Sequence, residues 1–111
     1  MFDGKTIIVT GAAGNVGSAL AILLAEREAR IVAVDTVRDR LEAITLGLAG
    51  SGHIALSTYD LTDPKATEAL VAEAVARCGG VHAVGTTVGG FAMAKLADAG
   101  IEQWEHMVAL N

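Results

Sequence analysis

The chain has 111 residues, a formal net charge of −5 and a 52% share of hydrophobic residues. That length predicts one domain, residues 1–111, with a modest core, and the acidic balance argues against a nucleic-acid face. A single cysteine, Cys78, excludes an internal disulfide and points to a reducing compartment.

The predicted elements alternate along the chain. Residues 5–10 form a β-branched run suited to a buried strand. Residues 11–17 are a glycine-rich turn, after which Val16, Leu20, Leu23 and Leu24 recur at helical spacing. A second strand spans residues 30–34 and ends at Asp35. Leu41, Ile44 and Leu48 suggest a second helix, stopped by the glycines of residues 47–52. The third strand is expected at residues 53–58. Asp63 and Pro64 then read as an N-cap and first helical residue. Leu70, Val71, Ala74, Val75 and Cys78 form that helix's apolar stripe, and Gly79-Gly80 ends it. A fourth strand is expected at residues 81–87, irregular chain at 89–100 and a last helix at 101–111. Strands separated by helices pair in parallel with right-handed crossovers. The expectation is therefore an α/β, doubly wound parallel sheet of order 3-2-1-4, a Rossmann fold.

Gly11, Gly14 and Gly17 are spaced G-x-x-G-x-x-G between a strand and a helix, the context in which such a motif signals phosphate binding. Gly11 permits the tight turn, Gly14 lets backbone approach a pyrophosphate, and Gly17 lets the helix lie close to the sheet. The helix N-terminus offers unpaired N–H groups to the phosphates. Asp35 can accept hydrogen bonds from ribose hydroxyls and would repel a 2′-phosphate, so NAD is expected over NADP. Arg38 and Arg40 lie nearby and could soften that preference. The alternative for each residue is structural: turn glycines and a solvated strand-end aspartate.

The run Gly4-Lys5-Thr6-Ile7-Ile8-Val9-Thr10-Gly11, followed by Ala12-Ala13-Gly14-Asn15-Val16-Gly17, resembles the opening of the short-chain dehydrogenase/reductase family. The similarity continues through Asp60-Leu61-Thr62, through Thr86-Thr87-Val88-Gly89 and into Trp104-Glu105-His106-Met107-Val108-Ala109-Leu110-Asn111. It implies that Gly11, Gly14, Asn15, Val16, Gly17 and Asp35 hold the phosphate and ribose side of the cofactor. It implies further contacts to the cofactor from Asp60 and Leu61 at the adenine and from Thr86, Val88 and Gly89. Asn111 matches the family's catalytic asparagine. Two departures stand out. Asn15 occupies the middle glycine position of the short-subunit pattern, a spacing frequent in the extended branch of epimerases and dehydratases acting on nucleotide sugars. Thr86-Thr87 replaces the usual Asn-Asn, putting strand-to-strand bracing and a cofactor contact at Thr86 in question.

The family's chemistry is hydride transfer to or from a carbonyl or alcohol carbon, with a tyrosine as acid or base and a lysine four residues on. Here the one tyrosine, Tyr59, is followed four residues later by Asp63, so it is expected to be structural or on the adenine side. The expectation is an NAD-dependent oxidoreductase represented by its N-terminal, cofactor-binding part and inactive alone; a small carbonyl or alcohol substrate enters only with the remainder. A fourth strand left at the sheet's edge invites self-association, so a homo-oligomer is expected. No basic region precedes an apolar stretch near Met1, and no apolar run could span a bilayer; a cytoplasmic location is expected, without membrane contact. His53, His82 and His106 lack metal-ligand spacing, and no metal site is expected. Phe91, Met93 and Trp104 are candidates for a substrate pocket, with Trp104 expected chiefly to pack the last helix onto the sheet. A non-catalytic dinucleotide-binding module and an extended-type epimerase or dehydratase remain alternatives.

Overall fold

The computed structural model describes residues 1–89 and 95–111. In chain order these form β1 (Thr6–Thr10), α1 (Asn15–Glu26), β2 (Arg30–Val34), α2 (Arg38–Leu46), β3 (Ile54–Leu56), α3 (Pro64–Cys78), β4 (Ala83–Thr86) and α4 (Ile101–Leu110), with a short 3-10 turn at Leu96–Asp98. The sheet is wholly parallel with order β3-β2-β1-β4, as the alternation of strand and helix runs predicts. The third and fourth strands are shorter than residues 53–58 and 81–87.

Every residue of β1 is buried, because a central parallel strand has helices over both faces. Ile7, Val9, Ile31 and Ala33 point to one side, where Ala21 and Ala25 of α1 and Leu41 of α2 cover them. Ile8, Val32 and Val34 point to the other, where they meet Leu70 and Ala74 of α3. Strand β4 differs: Ala83, Val84 and Thr86 are exposed.

The helix faces depart from the hydrophobic reading. In α1 the buried residues are Gly17, Ala21 and Ala25, a stripe at i, i+4 and i+8, whereas Val16 is 71% exposed and Leu23 45%. The helix lies so close to the sheet that only small side chains fit between them; Leu20 and Leu24 flank the contact. Likewise α3 buries Leu70 and Ala74, while Val71 and Val75 stay largely exposed. Cys78 is half-buried against the α3-side core, as its place on the stripe suggests. The ends of α3 follow the sequence signals. The Asp63 carboxylate accepts from the Lys65 N–H at 3.0 Å, and Gly79 closes the helix in the left-handed region, donating to the Val75 carbonyl.

Candidate functional site

The turn after β1 is held from three sides. The Ala12 N–H donates to the Val34 carbonyl at 3.1 Å, and Gly14 N–H to the Gly11 carbonyl at 3.0 Å. Between them, the Ala13 N–H donates to Asp35 Oδ2 at 2.9 Å. Gly11 sits at φ +70°, and a Cβ there would meet Thr87 Oγ1 at 2.7 Å. A Cβ on Gly17 would strike the Gly11 carbonyl, so the third glycine is what lets α1 start beneath the turn. The amides of Asn15, Val16 and Gly17 form the first turn of α1 and have no intrahelical acceptor. Unpaired amides at a helix N-terminus are the kind of donors that favour an anion.

Asp35 closes β2 beside the turn. Besides Ala13, the Thr36 N–H donates to its Oδ1 at 2.7 Å and the Val37 N–H at 3.3 Å. Two carboxylate oxygens can accept about four hydrogen bonds, so the group braces the turn and keeps acceptor capacity. Arg38 is tied to Glu42 at 3.0 Å, which holds its guanidinium pKa above the ordinary value. Arg40 reaches across to Asn15 Oδ1 at 3.4 Å.

An open cleft of about 860 Å³ crosses the C-terminal ends of the strands, the place where ligands bind in doubly wound sheets. Its walls bring together Gly11, Gly14, Asp35, Asp60, Leu61, Thr86, Val88, Gly89 and Asn111. Of the residues singled out from sequence, Asn15, Val16 and Gly17 do not line it. The first two are exposed at the start of α1 and Gly17 is buried under the turn. Tyr59 and Thr62, the one read from sequence as structural or adenine-side and the other part of the Asp60-Leu61-Thr62 motif, line it too, and Ser57 and Thr58 join them without having been singled out. Their position just past a strand's C-terminal end was the available signal.

Several details fit a ligand rich in oxygen. Among the described residues Thr10 Oγ1 is buried without a hydrogen-bond partner on the cleft wall beside the glycine turn; a buried hydroxyl left unpaired is costly. Asp60 Oδ1 accepts from Thr62 Oγ1 at 2.6 Å and Thr62 N–H at 2.9 Å. Both bonds favour the carboxylate and lower the Asp60 pKa. Among the described residues its other oxygen has no hydrogen-bond partner. These groups fit a dinucleotide: an amide-lined turn for a pyrophosphate, with carboxylates at the ends of β2 and β3 for sugar and base.

Of the threonine pair, Thr87 supplies the tie to β1. Thr87 Oγ1 donates to the Thr10 carbonyl at 2.8 Å, and the Thr87 N–H to the same oxygen at 3.3 Å, so one hydroxyl suffices to tie β4 to β1. Tyr59 points away from any base role. Its phenol donates to Glu73 Oε1 at 2.5 Å, and this bond to a carboxylate raises its pKa. Asn111 follows α4 at the cleft's far end, its Nδ2 donating to the Met107 carbonyl and its Oδ1 3.0 Å from where a Gly89 Cβ would lie. Trp104 corrects the sequence expectation. It is 55% exposed and no residue of α4 is buried, because the helix meets the cleft through Ala109, Leu110 and Asn111 and not through its Ile101-Trp104-Val108 face. Phe91 and Met93 lie outside the described residues. Among the described residues no group of three or more His, Cys, Asp or Glu side chains converges as a metal site, and no helix is long and apolar enough to cross a membrane.

Known proteins resemble this chain. The chain is 34% identical over 108 residues to an uncharacterised oxidoreductase of Listeria innocua, covering 96% of this chain and 44% of that protein. It is 32% identical over 111 residues to versicolorin reductase 1 of Aspergillus parasiticus, covering 98% of this chain and 42% of the relative. The crystal structure of a short chain dehydrogenase from Bacillus anthracis superposes with a TM-score of 0.91 at 16% identity, covering 99% of this chain and 46% of that one; at that identity the likeness concerns the fold alone. The chain thus spans less than half the length of these relatives. The short chain dehydrogenase profile matches residues 5–111. With the glycine turn, the 3-2-1-4 sheet and the cleft all in the matched region, the chain belongs to the short-chain dehydrogenase/reductase family of oxidoreductases.

Proposed function

We propose that residues 1–111 are the dinucleotide-binding part of an NAD-dependent short-chain oxidoreductase. The observation that carries this reading is the hydrogen bond from the Ala13 N–H to Asp35 Oδ2 at 2.9 Å, which fixes an anion-binding turn and a sugar-reading carboxylate as one unit at the mouth of the cleft. Gly11, Gly14 and the amides of Asn15, Val16 and Gly17 would hold the pyrophosphate. Asp35 would hold the adenine-side ribose, Asp60 and Leu61 the adenine, and Thr86, Val88 and Gly89 would make further contacts to the cofactor. The carboxylate of Asp35 repels a 2′-phosphate, so NAD is preferred over NADP. Bound there, the cofactor supplies hydride exchange with a carbonyl or alcohol carbon. Asn111 stands at the far end of the cleft, where its amide can orient a water or a neighbouring backbone group for proton transfer. Its presence on the cleft wall favours the short-subunit branch over the extended one.

The Tyr59 phenol is held as a donor to the Glu73 carboxylate, which raises its pKa and opposes a role as base, so the 111-residue chain alone turns over no substrate. We place the protein in the cytoplasm, acting on a small carbonyl or alcohol compound as part of a larger, homo-oligomeric enzyme. Calorimetric titration with NAD and NADP tests the assignment. The account predicts tighter binding of NAD, and loss of about tenfold or more of that affinity in Asp35→Ala, the cost of removing a charged hydrogen-bond acceptor. Equal NAD affinity in both proteins would remove Asp35 from the site.

A further inference from the structure

The segment after β3, residues 57–62, carries the groups assigned above to the base. Its hydrogen bonds are local, with one exception. Asp60 accepts from Thr62, and the Asp63 N–H donates to the Asp60 carbonyl at 3.1 Å. Among the described residues, the one hydrogen bond from this segment to another element is that of the Tyr59 phenol to Glu73 Oε1 at 2.5 Å. Glu73 is itself held: its second oxygen, Oε2, accepts from Arg77 Nη1 at 2.9 Å, one helical turn on. It stands next to Ala74, which is fully buried in the core. The Tyr59 ring packs against the same cluster, with Val34, Leu56 and Leu70 in it, and also lines the cleft.

We propose that Tyr59 is a positioning residue for recognition of the purine base. Clamped to α3 through Glu73 and Arg77, it sets where the adjoining Asp60 carboxylate and Leu61 backbone stand in the cleft. This rests on the dinucleotide reading and adds the part of the chain that makes the base site specific. A free loop would present Asp60 in many orientations, and a hydrogen bond to a particular exocyclic group would be weakened by the ordering it required. The clamp holds that order in advance. A carboxylate so held accepts a hydrogen bond from the 6-amino group of adenine and repels the 6-oxo group of hypoxanthine.

The test uses AMP and IMP as probes with the full 111-residue chain, by calorimetry, alongside thermal unfolding. Wild type is expected to prefer AMP. Tyr59→Phe keeps the ring and removes the hydroxyl; it should weaken AMP about fivefold or more and leave IMP nearly unchanged, so that the AMP:IMP ratio falls. Glu73→Leu should behave alike, while Glu73→Gln, which keeps an acceptor oxygen, should retain most of the preference. An unchanged ratio in Tyr59→Phe overturns the proposal. So does a parallel loss of both nucleotides with a lowered melting temperature, which is what a merely structural tyrosine would give. Failure of wild type to bind either nucleotide would instead remove the dinucleotide reading, and this inference with it.

Discussion

Where the strands begin, imidazoles close off the backbone. The Thr6 N–H of β1 donates to His82 Nδ1 and the Ile31 N–H of β2 to His53 Nδ1, each at 3.0 Å. The other nitrogen of His53 faces the Ala49 carbonyl at 2.7 Å, so that ring carries its proton on Nε2. Where the strands finish, glycines replace side chains, and α1 starts beside a cleft that Gly11 and Gly14 line. The backbone is the same at both ends. At the closed end imidazoles have taken the donors; at the open end Asp35 takes the Ala13 N–H, whereas the first-turn amides of α1 have no intrahelical acceptor.

Substitutions at the open end should separate support from binding. Gly17→Val puts carbon onto the Gly11 carbonyl and should cost at least about 3 kcal/mol in urea denaturation, the upper range for overpacking. Gly14→Ala, where a Cβ would stand 3.2 Å from the same oxygen, should cost less than about 1 kcal/mol yet weaken NAD by crowding the turn. Similar losses of stability in the two variants would erase the distinction. At the closed end, His82→Phe leaves the buried Thr6 N–H without its acceptor and should cost about 1–3 kcal/mol. His53→Phe should do the same for Ile31, and neither should alter nucleotide affinity in the folded protein.

Smaller effects sharpen the picture further. Glu28 ends α1 at φ +72°, with the Ala29 N–H returning to the Leu24 carbonyl at 3.1 Å. Glycine adopts that conformation without strain, so Glu28→Gly should raise stability by up to about 1 kcal/mol in the same denaturation experiment. The smallest effect concerns pH. Bonds from Tyr59 and Arg77 lower the Glu73 pKa, so their stabilisation is present above the ordinary carboxylate range and lost as pH falls. The Tyr59 pKa is raised by the same contact, so its share is present below the ordinary phenol range and lost as pH rises. The urea midpoints of wild type and Tyr59→Phe should therefore differ on a plateau at neutral pH and converge in acid and in strong alkali. A difference constant across that range would show that the hydroxyl contributes nothing through Glu73.

The order of strands was legible because each is a short apolar run set off by turn residues, and parallel pairing follows from the helices between. Gly11, Gly14 and Asp35 line the cleft as glycines and a strand-end carboxylate at fixed offsets would, whereas Asn15, Val16 and Gly17 do not. Helix faces were not legible: burial of Gly17, Ala21 and Ala25 follows from how close α1 lies to the sheet, whereas a hydrophobicity pattern selects Val16 and Leu23. Trp104 misled in the same way, since size and apolarity do not say which neighbour covers a side chain. The histidine caps and the Tyr59–Glu73 clamp depend on pairs 76, 22 and 14 positions apart, and no local pattern announces such partners.

The most direct test is an amide NMR titration of the chain with NAD. The account predicts saturable shifts at Gly14, Asn15, Val16 and Gly17, with Thr6 and Ile31 at the opposite end of the sheet unmoved. Unchanged amides in the glycine turn at a concentration of NAD that saturates binding elsewhere, or no binding at all, would contradict it.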